Sequence, residues 1–262
     1  MRVKVRAVNR LDELVRNGRP ILVCYMQLGD PAMPHDLVDI YKESGVDVIE
    51  VGFPCAAPHL DGPIVTKAMS RALKAGMTIG RMWCELKTLR QRCPDTAIVV
   101  MSYETLDLED ICNRPDEYGE IDGVLLIGAD SARSPLFAES GPVASRLHRI
   151  GFVSHEMRPE ELEGAARSGG YVMLQAAPGK TGLRKYFDPT NAEKVARLRA
   201  SGIGQPILLG IGISNSDHVR KAMVSGADGV VMGSACIVHA ERGSESLQRF
   251  IAEVRSTLDE TR

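Results

Sequence analysis

PILLGIGISNSDHVRKAMVSGADGVVMGSA, residues 206–235, repeats one design twice. A short apolar run, PILLG (206–210), ends in the glycine turn GIGIS (210–214). The amphipathic stretch SDHVRKAMVSG (216–226) follows and closes on Gly226, the kind of residue that stops a helix in the left-handed conformation. A second apolar run, DGVVMG (228–233), then begins and stops at Gly233-Ser234, where a short helix should start. Near-continuous apolar strands alternating with helices imply a parallel sheet buried on both faces.

The same alternation extends over the chain. Apolar runs recur at 20–27, 46–52, 97–102, 122–128, 151–155, 170–175, 206–210 and 228–233. Helical patterns fall between most of them, at 34–45, 64–76, 78–93, 133–150, 159–169, 191–202 and 216–226. A last helix over about 244–258 would close the structure. Gly45, Gly202 and Gly226 sit at helix ends just ahead of strands. The irregular stretch YETLDLEDICNRPDEYGEI (103–121) should carry a short helix and lie over a rim. Eight strand–helix units in 262 residues predict an α/β fold, a single-domain (β/α)8 TIM barrel spanning 1–262. An open sheet with helices on both faces is the structural alternative.

The composition sets limits on function. Hydrophobic residues make up 44% and charged residues 25%, as in a globular protein with a large core. The net charge is -2 with no block of either sign, which argues against nucleic acid as a partner. No apolar stretch approaches the ~20 residues of a membrane helix, and the basic start MRVKVRAVNRLDELVRNG lacks a signal-peptide core. A cytoplasmic location is expected. Cysteines 24, 55, 84, 93, 112 and 236 form no CxxC pair and read as free thiols, with Cys24 in the apolar run ILVCYM. The six histidines show no ligand spacing, so no metal is expected. No Ser-His-Asp arrangement is visible, and no strand offers the lumen-facing lysine of a Schiff-base enzyme.

Barrel enzymes work where strands end and βα loops meet. Three such places stand out. In VDVIEVGFPCAAPHLDGP (46–63), alternation puts Val48, Glu50 and Gly52 on one face. A lumen-facing Glu50 would be a carboxyl in an apolar barrel mouth, with its pKa raised toward the range of proton transfer; a buried ion pair is the structural alternative. Asp61 precedes Gly62-Pro63 and a helix, so it is either a site residue or a helix cap. His59 in the same loop reads as exposed. In GYVMLQAAPGKTGLRKYF (170–187), a strand enters a glycine-rich loop that could close over a ligand. It is not a nucleotide P-loop, because Leu174 stands where that motif needs its first glycine. The third place is the pair of turns at 210–214 and 233–235, after the last two strands. Loops there, with a helix N-terminus, make this fold's phosphate site.

Taken together, LGDP (28–31), IEVGFP (49–54), DGP (61–63), GKTG (179–182), GIGIS (210–214) and GSA (233–235) resemble, in order and spacing, the tryptophan synthase α subunit family from about residue 20 onward. The resemblance implies cleavage of indole-3-glycerol phosphate to indole and glyceraldehyde 3-phosphate, with no metal or organic cofactor. It assigns Glu50 as the catalytic glutamate and Asp61 as the aspartate at the indole nitrogen. Thr181 and Gly182 match the mobile loop. Gly182, Gly212, Gly233 and Ser234 match the phosphate-binding positions, and Tyr25, Met173 and Ile211 the substrate pocket. There are departures. Cys55-Ala56-Ala57 stand where the family has an aromatic followed by Ser-Asp, an aspartate that addresses the β subunit. Met173 and Ile211 replace a tyrosine and a phenylalanine, Ala177-Pro178 replace Arg-Ser, and 127–130 read Ile-Gly-Ala-Asp. A tryptophan synthase β subunit is the implied partner, through an altered signalling loop. The expected function is retro-aldol lysis of indole-3-glycerol phosphate. The alternatives are a barrel acting on another phosphorylated substrate, or a catalytically weak module that binds a β-type partner.

Overall fold

A computed structural model describes residues 9–103, 120–128 and 147–261. Nine parallel segments form one sheet: β1 (Ile21–Gln27), β2 (Val48–Gly52), β3 (Ala97–Tyr103), β4 (Gly123–Ile127), β5 (His148–Arg149), β6 (Gly151–Val153), β7 (Val172–Gln175), β8 (Ile207–Gly210) and β9 (Gly229–Met232). Their order is β5-β4-β3-β2-β1-β9-β8-β7-β6. The two ends of that order are joined through a single residue, Ile150. Its N–H reaches the Val124 carbonyl of β4 (2.9 Å), and the next N–H, of Gly151, reaches Tyr171 ahead of β7 (3.1 Å). β5 and β6 therefore act as one stave that hands its pairing from one neighbour to the other. The sheet is a barrel of eight staves, and the open-sheet alternative falls.

The described helices are α1 (Arg10–Asn17), α2 (Leu37–Glu43), α3 (Pro63–Lys74), α4 (Ile79–Arg92), α5 (Pro159–Ala166), α6 (Asn191–Ala200), α7 (Ser216–Val224), α8 (Ser234–Glu241) and α9 (Ser244–Glu260). Gly45, Gly202 and Gly226 take φ of 75°, 84° and 85°, the left-handed stops expected of them. None of the described helices is long and apolar enough to cross a membrane. One sequence expectation needs correcting. The helix placed over 133–150 does not reach its end, because His148–Arg149 form β5; most of the rest of that span, like most of the rim stretch 103–121, lies outside the described residues. The free edge of β4 demands a partner, and that tertiary demand overrides a helical reading of Leu-His-Arg-Ile. Helix α1 was not anticipated. It puts Leu11 against the bottom of the barrel, 2% exposed, beside Ile21 and Ile150.

Alternation sorts the strands into two cores. Ile21, Val23 and Tyr25 of β1, Val48 of β2 and Val99 and Met101 of β3 fill the lumen. Leu22, Cys24, Ile49 and Val51 face the helices. At the bottom rim, three aspartates just ahead of strands share one task. Asp47, Asp122 and Asp228 each accept a backbone N–H from the first or second residue of a neighbouring strand, from Leu22 (2.8 Å), Ile98 (2.8 Å) and Ile207 (2.7 Å). Each also pairs with arginine: Asp47 with Arg255 and Arg19, Asp122 with Arg90 and Arg10, Asp228 with Arg199. These pairs satisfy the first rung of the ladder, which would otherwise be left buried and unpaired.

Candidate active site

Glu50 is the one acidic side chain that points into the lumen from a described strand's interior. It lies beside Tyr25 on one neighbouring strand and Val99 on the other. The residue is 4% exposed, its Oε2 is buried without a hydrogen-bond partner, and no ion pair joins it among the described residues. Burial in this apolar setting, with the nearby Asp61 charge adding to it, raises its pKa from 4.5 to about 8. The ion-pair alternative for Glu50 does not hold.

Asp61 comes to the same cavity from the loop after β2 and is also 4% exposed. It does not cap α3; Gly62 takes the cap position. Instead both carboxylate oxygens are held: Tyr103 donates to Oδ2 at 2.7 Å and Thr181 to Oδ1 at 2.9 Å. Burial pushes its pKa up, while these two donors, with His59 and Lys180 nearby, pull it back toward ionisation. Thr181 is no tip of a free surface loop. Its hydroxyl accepts the Gly62 N–H (3.0 Å), and its own N–H reaches the Leu60 carbonyl (2.9 Å). Gly62 is required there, since a Cβ would stand 2.0 Å from the Thr181 carbonyl oxygen. His59 is exposed, and its ring meets the Tyr103 ring edge-on at 4.8 Å.

The glycine turns line the other part of the cavity wall. Gly182, Gly212, Gly233 and Ser234 all border it. α8 begins at Ser234 with no side chain capping it, so its first N–H groups stay available. Ser234 Oγ is buried and has no partner. Ile211 takes φ 55°, a left-handed conformation that a β-branched residue adopts at a cost of about 1–3 kcal/mol. That backbone turns Ile211 to the cavity and places Gly212 (φ 120°) beside it. Between carboxyls and glycines, Val65, Met101, Ile127, Met173 and Ile211 form an apolar wall. The space between them, counted out to the open mouth, is about 600 Å³.

Every residue singled out from sequence, namely Tyr25, Glu50, Asp61, Met173, Thr181, Gly182, Ile211, Gly212, Gly233 and Ser234, borders this cavity. Sequence reasoning missed Tyr103 because it ended the strand at 102; the run AIVVMS continues one residue further, to a tyrosine on the lumen side. It also missed Tyr171, whose buried hydroxyl has no partner and whose pKa is pushed up by burial and by the charge of Glu50. Among the described residues no three His, Cys, Asp or Glu gather as a metal site would need, and cysteines 24, 84, 93 and 236 are free thiols.

A family model described as tryptophan synthase alpha chain matches residues 11–261. The tryptophan synthase alpha chain of Edwardsiella ictaluri is 33% identical over 254 residues, 93% of this chain and 92% of that one. That of Aromatoleum aromaticum is 30% identical over 255 residues, 93% of each. Among solved structures, a chain of Mycobacterium tuberculosis tryptophan synthase superposes with a TM-score of 0.81 at 26% identity, covering 95% of this chain and 96% of that one.

Proposed function

The chain belongs to the tryptophan synthase alpha chain family, and on that premise we propose that it is a carbon–carbon lyase splitting indole-3-glycerol phosphate into indole and glyceraldehyde 3-phosphate, with Glu50 and Asp61 as its catalytic carboxyls. The cleavage asks for one proton to enter at the ring carbon and one to leave the side-chain hydroxyl. With its pKa near 8, Glu50 is mostly protonated at neutral pH and can supply the first. The ring nitrogen then carries positive charge, which the Asp61 carboxylate stabilises through the N–H. Glu50, now charged, takes the hydroxyl proton. The C–O bond becomes a carbonyl, the bond to the ring breaks, and its electrons return to the ring. One proton has passed from hydroxyl to carbon, and no external oxidant, reductant or cofactor enters the balance.

Each remaining residue has a part in that reading. Thr181 and Tyr103 hold Asp61 in place and favour its charge. The amides of Gly182, Gly212, Gly233 and Ser234, with the Ser234 hydroxyl, take the phosphate at a helix start. Tyr25, Met173 and Ile211 wall the indole ring. The substrate's phosphate makes it dianionic and the wall makes its ring fit, so the ligand is a phosphorylated small molecule. A tryptophan synthase β subunit is the partner that family membership suggests. Ala56 and Ala57 are exposed in the loop after β2 and bring no carboxylate to it, so turnover is expected without a signal through that position.

The observation that carries the proposal is the unpaired, buried Glu50 beside a fully hydrogen-bonded Asp61. The test is incubation with indole-3-glycerol phosphate, with and without a β subunit, following indole release. Failure to release indole under either condition, with the protein folded and the ligand bound, would remove the lyase assignment.

A further inference from the structure

The turn after β8 holds an unfavourable backbone conformation next to the freest residue type. Ile211 is left-handed at φ 55°, and Gly212 follows at φ 120°. Rotation about Gly212 meets no side-chain resistance of its own, so something else must keep this turn from relaxing. A Cβ on Gly212 would lie 2.8 Å from the Ala177 Cβ, so the turn is also packed closely against the opposite loop. His218, in the first turn of α7, supplies the restraint. Its ring is buried, 1% exposed, and its Nδ1 lies 3.1 Å from the Gly212 carbonyl oxygen. A carbonyl only accepts, so Nδ1 must carry the proton. The Ser214 hydroxyl is 3.4 Å from the same nitrogen and donates to the Arg184 carbonyl at 3.2 Å. On its other side the imidazole approaches Phe187, with ring centroids 6.2 Å apart. Arg184 and Phe187 end the loop that carries Thr181 and Gly182. One buried imidazole thus touches the turn bearing Gly212 and the loop bearing Gly182.

We propose that His218 is a positioning residue for phosphate binding: its Nδ1–H clamps the Gly212 carbonyl, which holds the left-handed Ile211–Gly212 turn and keeps the Gly212 amide facing the cavity. The Gly212 carbonyl shares its rigid peptide plane with the Ile213 N–H, so the bond restrains ψ at Gly212, the rotation a glycine would otherwise leave free, while close packing against Ala177 limits where the glycine itself can sit. His218 does not touch the substrate. The proposal rests on reading Gly212 as a phosphate ligand, and it adds which side chain makes that glycine a ligand.

The test uses glycerol 3-phosphate binding by calorimetry and steady-state cleavage of indole-3-glycerol phosphate. His218→Leu leaves a buried carbonyl unpaired and should weaken glycerol 3-phosphate binding about tenfold. KM should rise by a similar factor, with kcat within about twofold. His218→Asn places an amide N–H near the position of Nδ1 and should bind within about twofold of the parent. In an Ile211→Gly background the left-handed turn carries no strain, so adding His218→Leu should change binding by less than in the parent. Equal losses in both backgrounds, an Asn variant as weak as the Leu variant, or a loss confined to kcat would each overturn the role of His218. The parent protein reports on the underlying reading separately. If it fails to bind glycerol 3-phosphate in this cavity, the phosphate site itself is refuted, whereas strong parent binding with an indifferent His218→Leu refutes only the clamp.

Discussion

Replacing Glu50 by Gln keeps the shape and the neutral charge of the protonated acid while removing its titration, so it separates burial from chemistry. The folded protein holds the Glu50 proton up to about pH 8, whereas an unfolded chain releases it near 4.5. Between those values folding takes up a proton, so the stability of the parent falls as pH rises, by ~1.4 kcal/mol per pH unit. Below 4.5 both states are protonated and nothing is lost; above 8 both have released the proton and the loss is complete. The window spans about 3.5 units, which sets a ceiling of about 5 kcal/mol for the advantage of Glu50→Gln at pH 8 and above, and about 3 kcal/mol at pH 7. Against a typical stability of ~5–15 kcal/mol this is a large effect. Urea unfolding of both proteins at pH 5, 7 and 9 measures it. The two should differ by less than about 1 kcal/mol at pH 5 and diverge steadily above. The same substitution should lower kcat for indole release by at least about a hundredfold and leave glycerol 3-phosphate binding nearly intact. In the parent, kcat should decline as pH rises through about 8, because the acid form starts the reaction. Parallel stability curves from pH 5 to 9 would refute a buried, unpaired carboxyl. Undiminished turnover by Glu50→Gln would refute its role as acid and base.

Two further predictions test what surrounds it. Tyr103→Phe removes the 2.7 Å donor from Asp61 Oδ2, and a donor to the charged form lowers a carboxyl pKa, so its loss lets the Asp61 value rise. The acid limb of the kcat–pH profile should move to higher pH by about one unit or more; an unmoved limb would show that Tyr103 does not tune Asp61. Asp122→Ala strips a 2% exposed carboxylate from Arg90, itself 8% exposed, and from the Ile98 N–H, which should cost about 3–5 kcal/mol in urea unfolding. Asp228→Ala breaks a pair whose side chains are 36% and 43% exposed, so its loss should be smaller, on the order of 1–2 kcal/mol. Equal losses would mean that burial does not grade these pairs.

What the chain reveals in sequence is what leaves a local mark. Alternation over 46–52 put Glu50 on one face with Val48 without any knowledge of its neighbours; in the fold that face is the lumen, and burial there raises its pKa in the direction expected. Glycines at 45, 202 and 226 announced left-handed helix ends because few other residues accept that geometry. Contacts between distant residues leave no such mark. Tyr103 and Asp61 are 42 positions apart, and Asp47 and Arg255 are 208 apart. Nothing near either residue signals the other, so a tyrosine at a strand end looked like the start of a loop. Ile211 is harder still: its left-handed φ contradicts the local preference of a β-branched side chain, and the groups packed on the turn, Ala177 and the buried His218, come from elsewhere in the chain. The β5 stave was misread for a related cause, since a two-residue strand is decided by the open edge of β4 and not by its own residues.

The same contrast explains why Glu50 can be separated from the other acids near the strands. Asp47, Asp122 and Asp228 sit in the sequence much as Glu50 does, each a lone acid beside an apolar run. In the fold each of the three meets an arginine and a backbone N–H at the bottom rim. Glu50 sits three residues further along β2 than Asp47, where the lumen offers it neither. A protein selected for stability alone would have little reason to keep it, because burying an uncompensated carboxyl is unfavourable at neutral pH and an amide or an aliphatic side chain would remove the penalty. Retention of that carboxyl next to Asp61, whose oxygens are occupied by two donors, is what supports the proposed proton-transfer role and sets Glu50 apart from the ion pairs that close the barrel.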